Sequence, residues 1–436
     1  MTSTPDLYSR PDVFVGGRWK RSIDGTDHKV INPATGEVLG NATLAGLGDI
    51  DDAVAAARAS FDAGVWAARP AVERARVLRA AADYLENLGD AAVDLLTREL
   101  GCPRWFAARA HVPNPIRHLR YYAGLIEDET TDELRSDGTN RSIVAREPVG
   151  VVGAITPWNG PLSAPALKVA PALAAGCSVV LKPPPETPLT AYLLADALTA
   201  AGLPEGALSI VPADREVGEQ LVRHREVDKV AFTGSTAAGR RIMALCAERI
   251  ARVTLELGGK SAAIVLDDAD LEHFVRSILP MAMMVNGQAC IAQTRVVVPR
   301  HRQAEVAQAL TAAFAALPVG DPFDPQTQIG PLVSGRQRDR VEGYLALAAD
   351  EGAHVMGGGR PGPDGFFVNP ALLTDVANSM RVAQEEIFGP VVALIPYDDV
   401  DDAVRIANDS AYGLAGSVWT EDGDAGMDIA RRVRTG

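Results

Sequence analysis

The chain has 436 residues, of which 47% are hydrophobic and 22% charged, as is usual for globular proteins with large cores. The 42 basic and 56 acidic residues give a net charge of −14, which disfavours nucleic acid and anionic membrane surfaces as partners because phosphate binding needs clustered Lys and Arg. The four cysteines are scattered without metal-ligand spacing, which argues against a disulfide framework or a zinc site and favours a reducing compartment.

The amino terminus has no apolar run after a basic region, so the sequence predicts no export signal. The longest apolar stretch, from Val169 to Leu181, is too short to span a bilayer. We therefore expect a soluble, cytoplasmic protein without a membrane partner.

The first hundred residues combine short strands with helices. Residues 13–40 alternate short apolar pieces with Gly, Asn and Pro, a pattern typical of short strands. Apolar residues at helical spacing then predict three helices. Asp49 is expected to cap the first helix, and Gly101 to close the third. The predicted helices cover residues 49–61, 70–88 and 90–101.

The middle of the chain alternates strands and helices. The polar stretch from Asp137 to Val144 predicts a hairpin that projects from the body. Apolar strands separated by amphipathic helices then predict a parallel sheet covered on both faces. A second alternating run begins at Ala262, so the boundary falls at Gly258 and Gly259. The predicted strands cover residues 149–155, 177–181, 208–211, 229–232 and 253–256, and the helices between them residues 188–201, 217–223 and 236–247.

Cys290 follows residues 286–288, Asn-Gly-Gln, in a stretch that predicts a turn between apolar segments. A thiol in a turn can stand at the mouth of a cleft, although free cysteine more often packs as a small buried hydrophobe. Glu256 ends an apolar strand directly before a flexible double glycine. A thiol nucleophile and a carboxylate base are the two groups that acyl-transfer chemistry needs at least.

A glycine-rich turn passes from a strand into a helix at Gly234, Ser235 and Gly239. Backbone N–H groups at a helix N-terminus can bind a phosphate. The spacing is not that of a P-loop, because Arg240 and Arg241 occupy the Lys and Ser/Thr positions. After a strand of a doubly wound sheet, such a turn indicates a dinucleotide at the carboxyl edge of the strands.

Three further motifs carry polar side chains near strand ends or chain breaks. Asn159, in TPWN, is either a donor to a developing oxyanion or an ordinary turn asparagine. Lys182, in LKPPPETP, either binds ribose or phosphate or is a solvated lysine. The motif EEIFGPV offers a carboxylate and the ring of Phe388 before a Gly-Pro break.

The acidic stretch LDDADLE looks like a metal cluster but falls where a helix begins. Acidic residues at a helix start are explained by capping, so we expect that role for Asp267, Asp268 and Asp270 and predict no metal site.

The motifs TPWN, GSTAAG, LELGGK, NGQAC and EEIFGPV occur in the order and spacing of the aldehyde dehydrogenase superfamily, which the chain resembles from about residue 12 to its last residue. The resemblance implies an α/β fold in three parts. A Rossmann-like cofactor-binding domain would comprise residues 1–128 and 149–258, and a second α/β domain, the catalytic one, residues 259–436. A small hairpin over residues 129–148 would bridge subunits in an oligomer.

The resemblance also assigns roles to single residues. Cys290 would be the nucleophile and Glu256 the general base, while Asn159 and the Cys290 backbone N–H would form the oxyanion hole. Lys182 would meet the adenine ribose and Ser235 the pyrophosphate, whereas Glu386 would bind the nicotinamide ribose. The implied cofactor contacts are Thr156, Trp158, Lys182, Gly234, Ser235, Gly239, Leu257, Glu386 and Phe388.

The implied reaction is NAD(P)-dependent oxidation of an aldehyde to a carboxylic acid through a cysteine thiohemiacetal and thioester. NAD is the expected cofactor. NADP stays open, because Pro185 stands where the family often has a carboxylate that repels a 2′-phosphate. Gly160 stands where many relatives carry an aromatic residue, so we expect a medium-sized hydrophobic or aromatic aldehyde. Leu167, Met284 and Ile291 are expected to line the same region.

Family members usually continue for some tens of residues beyond the position of Gly436. We therefore expect a homodimer or homotetramer that is weakened if this segment is absent, together with a looser substrate pocket. The alternative function is a non-catalytic or impaired cofactor-binding protein on the same fold. A cysteine hydrolase and a coenzyme-A-dependent acylating enzyme are further alternatives.

Overall fold

The computed structural model describes residues 6–128 and 132–436, which form two compact units. Unit 1 comprises the described parts of residues 1–31, 38–100 and 105–256. Unit 2 comprises residues 32–37, 101–104 and 257–436. Every helix in the described parts of the chain is too short or too polar to span a bilayer.

Strands and helices alternate between residues 151 and 256, as the apolar pattern predicts. The strands are β1 (Ser9–Arg10), β2 (Val13–Val15), β3 (Arg18–Lys20), β4 (Thr26–Ile31), β5 (Val38–Leu44), β6 (Asp132–Ser136), β7 (Arg141–Ala145), β8 (Val151–Ile155), β9 (Ser178–Lys182), β10 (Leu208–Ile210), β11 (Lys229–Thr233) and β12 (Arg252–Glu256). The helices are α1 (Leu47–Asp62), α2 (Ala71–Leu88), α3 (Asp90–Leu100), α4 (Arg104–Phe106), a π-helix (Ala107–His111), α5 (Pro113–Asp128), α6 (Ser163–Ala174), α7 (Pro188–Ala191), α8 (Leu193–Ala200), α9 (Arg215–Arg223) and α10 (Thr236–Ala247).

The main sheet of unit 1 has the strand order β12-β11-β8-β9-β10-β2-β3. Strands β8 to β12 pair in parallel, whereas β2 and β3 are antiparallel. From β8 the chain first adds β9 and β10 on one side and then returns to add β11 and β12 on the other. The strand order therefore reverses between β8 and β11. In open α/β sheets, ligands bind beside the carboxyl ends of the strands at such a reversal.

A buried carboxylate fixes the segment that follows β9. Glu99, on α3, accepts the backbone N–H of Leu189 at 2.7 Å and that of Thr190 at 2.9 Å. Burial raises the pKa of Glu99 to about 7, and the N–H donors of the α7 start act against that rise. The carboxylate thus holds the start of α7, a few residues beyond Lys182, in a defined place.

Asp49 lies inside the first turn of α1 and not before it, contrary to the prediction that it caps the helix. The N-cap is Gly46, whose N–H donates to the Asp49 carboxylate at 3.0 Å. The same carboxylate accepts the N–H of Ile23 at 2.9 Å. The side chain satisfies a free donor at the helix end by reaching back from the third position.

Strands β6 and β7 pair antiparallel as a hairpin whose residues are all exposed, including Leu134 and Ile143. Residues 129–131, where the predicted hairpin begins, lie outside the described part of the chain. The role of the hairpin in oligomerisation stays a prediction.

Unit 2 is built on a second α/β sheet, with strand order β15-β16-β17-β14-β13-β18. All pairs are parallel except β15 with β16. The strands are β13 (Ala262–Val265), β14 (Arg295–Pro299), β15 (His354–Gly357), β16 (Ala371–Thr374), β17 (Val391–Tyr397) and β18 (Gly416–Trp419). The helices are α11 (Leu271–Ala282), a 3₁₀ helix (Arg300–Arg302), α12 (Gln303–Ala315), α13 (Gly335–Asp350), α14 (Arg381–Gln384), α15 (Val400–Asn408) and α16 (Gly423–Arg432).

Candidate active site

Four neighbouring strands of unit 1 end at residues that the sequence motifs single out. Strand β12 ends at Glu256, β11 leads into residues 234–235, β8 leads into residues 156–159, and β9 ends at Lys182. These strands are parallel neighbours in the order β12-β11-β8-β9, so their carboxyl ends lie along one edge of the sheet. The structure thus brings the predicted residues of unit 1 together at the strand-order reversal.

The turn after β11 has the geometry of a phosphate-binding helix start. Ser235 is the N-cap of α10, and its Oγ accepts the N–H of Ala238 at 3.3 Å. The hydroxyl proton of Ser235 stays available to donate, because accepting a bond uses only a lone pair. A Cβ on Gly234 would lie 2.5 Å from the Phe232 ring, so a larger residue here would force that ring to move. Gly239 is buried in the first turns of α10.

Lys182 is buried, with 6% of its surface exposed, which rules out the alternative of a solvated lysine. Its Nζ donates to the carbonyl of Ala213 at 2.8 Å. Burial lowers the pKa of Lys182 to about 8, while the carboxylates of Glu186 and Asp214 act in the opposite direction. The ammonium therefore sits at the end of β9 among acceptors, which suits hydrogen bonding to a ribose.

The segment after β8 carries Thr156, Trp158 and Asn159. Thr156 is buried, and its Oγ1 has no hydrogen-bond partner among the described residues. The carbonyl of Trp158 accepts a hydrogen bond from Thr187 Oγ1 at 3.4 Å, which ties this segment to the start of α7. Asn159 is half-buried.

Glu256 is exposed at the end of β12, and a lysine that the motif analysis missed acts on it. Lys168, on α6, has a pKa lowered to about 8, mainly by burial, while the negative charge of Glu256 opposes that decrease. A single lysine inside the otherwise apolar helix SAPALKVAPALA is the sequence signal that would have identified it. The predicted base thus has a cation in its electrostatic field.

Cys290 lies in a turn and is half-buried, whereas the other three cysteines are buried. This agrees with the predicted turn and with an accessible thiol. The three residues 285–287 that precede it have φ angles of 53°, 60° and 78°, a conformation that side-chain-bearing residues rarely adopt. Strain of this kind persists only where surrounding contacts hold it, and it concentrates at functional sites.

The amide of Asn286 supplies one set of those contacts. Its Nδ2 donates to the carbonyls of Gly101 at 3.1 Å and Pro331 at 2.8 Å, and its Oδ1 accepts the N–H of Gly330 at 2.8 Å. A fully bonded buried amide strongly resists displacement.

Gln288 supplies the second set. Its Nε2 donates to the carbonyl of Val285 at 3.0 Å, and its Oε1 accepts the N–H of Val333 at 3.0 Å. The two polar residues before Cys290 therefore hold the turn in its strained conformation.

The double glycine touches both the cysteine turn and a carboxylate. The N–H of Gly259 donates to Glu386 Oε1 at 2.9 Å. A Cβ on Gly259 would lie 2.1 Å from the carbonyl oxygen of Cys290, and one on Gly258 would lie 2.5 Å from Glu386 Oε2. A side chain at Gly259 would collide with the backbone of the Cys290 turn, and one at Gly258 would displace the Glu386 carboxylate.

The Glu386–Phe388 segment is held from α13 by two residues that the motif analysis did not select. Arg340 donates to the Glu386 carbonyl at 2.6 Å, and Gln337 Nε2 donates to the Phe388 carbonyl at 2.7 Å. Phe388 has a φ of 64°, so these bonds fix a strained backbone. The polar face of α13 in the sequence does not show what it contacts, so only the fold identifies them.

In unit 2 the candidate residues precede three neighbouring strands. The segment from Leu257 to Lys260 enters β13, the Cys290 turn enters β14, and the Glu386–Phe388 segment enters β17. These strands are parallel and lie in the order β17-β14-β13. Unit 2 therefore collects its candidate residues at the amino edge of its sheet.

Of the three acidic residues expected to cap a helix, Asp270 does so. Its Oδ1 accepts the N–H of His273 at 2.9 Å at the start of α11. Asp268 instead accepts the Thr420 hydroxyl and the Glu421 N–H at 3.0 Å, which stabilises the turn after β18. Within residues 6–128 and 132–436, no three His, Cys, Asp or Glu side chains are grouped so that they could hold a metal ion.

The family model for aldehyde dehydrogenases matches residues 19–436. The chain belongs to the aldehyde dehydrogenase family. The predictions of the family, of the α/β fold class and of an aldehyde dehydrogenase as the enzyme class are thereby confirmed, and the non-catalytic alternative is disfavoured.

Relatives within the family resemble the chain over nearly its whole length. Geranial dehydrogenase of Castellaniella defragrans is 46% identical over 97% of this chain and 89% of its own. The crystal structure of Mycobacterium tuberculosis aldehyde dehydrogenase complexed with NAD⁺ has 47% identity and a TM-score of 0.96, covering 99% of this chain and 90% of that one. Aldehyde dehydrogenase C of Pseudomonas syringae, in complex with NAD⁺ and octanal, has 36% identity and a TM-score of 0.95. The match covers 99% of this chain and 89% of that one.

Proposed function

We propose that the protein oxidises medium-sized hydrophobic or aromatic aldehydes to carboxylic acids, with NAD as hydride acceptor and Cys290 as nucleophile. The observation that carries the proposal is the double contact of the Gly258–Gly259 backbone with the Cys290 carbonyl and the Glu386 carboxylate. Hydride transfer needs the cysteine-bound substrate beside the nicotinamide ribose. The neighbourhood of Cys290 and Glu386 supports this arrangement.

The residues present fit NAD. The Ser235 helix start suits the pyrophosphate, because N–H groups and the helix dipole favour an anion there. Lys182 and Glu386 present a cation and a carboxylate suited to ribose hydroxyls. When bound, NAD supplies the hydride acceptor. The NAD⁺ complexes of the Mycobacterium tuberculosis and Pseudomonas syringae relatives support this choice of cofactor.

Each candidate side chain then has its own role in the proposed reaction. The Cys290 thiolate attacks the aldehyde carbon, and the Asn159 amide and the Cys290 N–H stabilise the oxyanion. One such donor is typically worth about 3 kcal/mol in the transition state. Loss of hydride leaves an acyl group on Cys290 as a thioester. Glu256 then accepts a proton from water, which attacks the thioester and releases the carboxylic acid and the thiolate.

The proposed substrate class is tested with a graded panel of aldehydes from acetaldehyde to octanal, together with geranial, benzaldehyde and a charged semialdehyde. Leu167 and Ile291 are exposed apolar side chains, and Ile291 directly follows Cys290. Each CH₂ group buried against such side chains contributes about 0.8 kcal/mol. The six CH₂ groups that octanal adds to acetaldehyde would together contribute about 5 kcal/mol if all were buried, so we expect kcat/KM to rise about 10³-fold from acetaldehyde to octanal, measured as cofactor-dependent absorbance. Highest activity with the charged semialdehyde would contradict this substrate class.

The proposed cofactor preference is tested by comparing initial rates with NAD and NADP. Glu186 and Asp214 act electrostatically on Lys182, and each negative charge opposes a 2′-phosphate by on the order of 1 kcal/mol. We expect kcat/KM to be roughly tenfold higher with NAD. The double variant Glu186→Gln with Asp214→Asn should lower the ratio of kcat/KM with NAD to kcat/KM with NADP. Asparagine at position 214 retains a capping residue for α9. The control variant Glu226→Gln should leave that ratio unchanged. Equal rates in the parent protein would refute the charge argument.

We propose further that the chain forms a cytoplasmic homodimer or homotetramer through the β6–β7 hairpin. The exposed side chains of Leu134 and Ile143 support this, because an isolated two-stranded hairpin gains stability by pairing or packing. Light scattering should give two or four chains for the parent, and Leu134→Lys should reduce that number. The matched variant Glu133→Lys, at a neighbouring exposed position, should leave it unchanged. A monomeric parent would refute the proposal.

A further inference from the structure

The start of α7 is buried and takes its capping acceptor from another helix. All four residues of α7 are buried, so its backbone N–H groups need acceptors within the protein. Pro188, at the first position, has no N–H. The N–H groups of Leu189 and Thr190 both donate to the carboxylate of Glu99 on α3, at 2.7 Å and 2.9 Å. The acceptor is thus supplied by a residue that lies 90 positions before Leu189 in the chain.

Thr187 is the N-cap residue of α7, but its hydroxyl does not cap the helix. A threonine at an N-cap normally accepts the N–H of the second or third helix residue through its Oγ1. Among the described residues, Thr187 makes no such bond. Its Oγ1 instead donates to the carbonyl of Trp158 at 3.4 Å. Because Glu99 accepts the N–H groups of the helix start, the Thr187 hydroxyl is left for this second contact.

The Thr187 hydroxyl contacts the middle of the segment that carries Asn159. Backbone hydrogen bonds hold the two ends of that segment, at the N–H of Thr156 and at the carbonyl of Gly160. The carbonyl of Trp158 lies between them, and it shares a rigid peptide plane with the nitrogen and Cα of Asn159. A rotation of this peptide plane therefore changes the direction of the Asn159 side chain.

The contact with Trp158 depends on where α7 begins. At 3.4 Å it is near the long end of the range for hydrogen bonds, so a small displacement of Thr187 would break it. The two charge-assisted bonds to Glu99 oppose such a displacement. A carboxylate can accept both N–H groups, whereas a glutamine amide has one acceptor oxygen and brings N–H donors of its own.

We propose that Glu99 and Thr187 are positioning residues for the Asn159 amide. Glu99 caps α7, and the Thr187 hydroxyl then holds the peptide group between Trp158 and Asn159 in the orientation that the oxyanion requires. The inference rests on the proposed function, in which the Asn159 amide stabilises that oxyanion. A donor must point to the position where negative charge develops, so a change in its direction reduces the stabilisation.

The test measures the rate constant of NAD reduction in the first turnover by stopped flow, because this step precedes hydrolysis and depends on the oxyanion donor. Thr187→Val keeps the shape of the side chain but removes the hydroxyl, and should lower this rate constant about tenfold. Thr187→Ser retains the hydroxyl and should stay within about twofold of the parent. Thr199→Val makes the same replacement at an exposed position of α8 and should have no effect. The dissociation constant of NAD, titrated without aldehyde, should change less than about twofold in all three variants.

Double variants isolate the coupling to Asn159. Asn159→Ala alone should slow the first turnover at least about 10²-fold. Adding Thr187→Val to it should change the rate constant less than about twofold, because the amide that Thr187 orients is gone. Glu99→Gln should slow the first turnover about tenfold, as Thr187→Val does, and combining these two should cost less than about twofold more. A merely structural role would instead predict that the separate losses multiply.

The outcomes separate the two proposals. If Asn159→Ala leaves the first turnover unchanged, the assigned role of Asn159 fails and this inference fails with it. If Asn159→Ala slows the first turnover and Thr187→Val does not, only the positioning role is overturned. Multiplied losses in the double variants, or a Thr187→Ser protein as slow as Thr187→Val, would also overturn it. If Glu99→Gln does not fold, the Thr187 variants decide the question, because they keep the buried carboxylate and both of its N–H donors.

Discussion

Replacing Cys290 with alanine abolishes aldehyde oxidation, with kcat falling at least about 10⁴-fold, as expected when a covalent nucleophile is removed. The other cysteines offer no substitute. Cys102, Cys177 and Cys246 are buried, and burial raises the pKa of each thiol, so none provides a thiolate near neutral pH. The measurement is the initial rate of NAD reduction at saturating aldehyde.

The control for this experiment is Cys246→Ala, which removes a buried thiol from α10 and should retain nearly full activity. Cys290→Ala should still bind NAD with unchanged affinity, because the proposal assigns the sulfur no cofactor contact. Retention of more than a few per cent of the parental rate by Cys290→Ala would exclude the thioester route.

Elements with strong periodicity agree closely with their sequence prediction. The strand predicted over residues 229–232 extends to Thr233, and the helix over 236–247 has the predicted bounds. Continuous apolar residues and a capping Ser235 specify these elements locally. The helix predicted over residues 188–201 is instead divided at Tyr192 into α7 and α8. The spacing of apolar residues along this segment does not predict the break.

Strand order and the amide bonds around Cys290 depend on residues far apart in the chain. The sequence places Asn286 in a turn, but its partners Gly101 and Pro331 lie about 185 and 45 residues away. Glu99 is similar, because its place in the helical pattern of α3 gives no sign that its carboxylate accepts the N–H groups of residues 189 and 190. Motifs thus identify the reacting groups, whereas only the fold identifies the residues that hold them.

Replacing Glu256 with glutamine separates the two halves of the reaction. Glutamine has nearly the shape of glutamate but cannot take a proton from water, so the thioester should form normally and then persist. We expect one reduced NAD per active site in a rapid burst, followed by a steady rate about 10²- to 10⁴-fold below that of the parent. Stopped-flow absorbance gives the burst, and intact-protein mass should show an acyl group on the burst product.

Glu248→Gln is the matched control, since Glu248 is an exposed carboxylate at the C-cap of α10 and should not affect either phase. The burst is the decisive quantity because it depends on thiol attack and hydride transfer but not on hydrolysis. A normal burst with slow turnover assigns Glu256 to the water step. A Glu256→Gln protein that binds NAD but gives no burst would show that Glu256 acts before hydride transfer, as the group that deprotonates Cys290. That result would contradict its proposed role in hydrolysis. Full turnover without a slow phase would remove Glu256 from the chemistry altogether, since no barrier would then depend on its carboxylate.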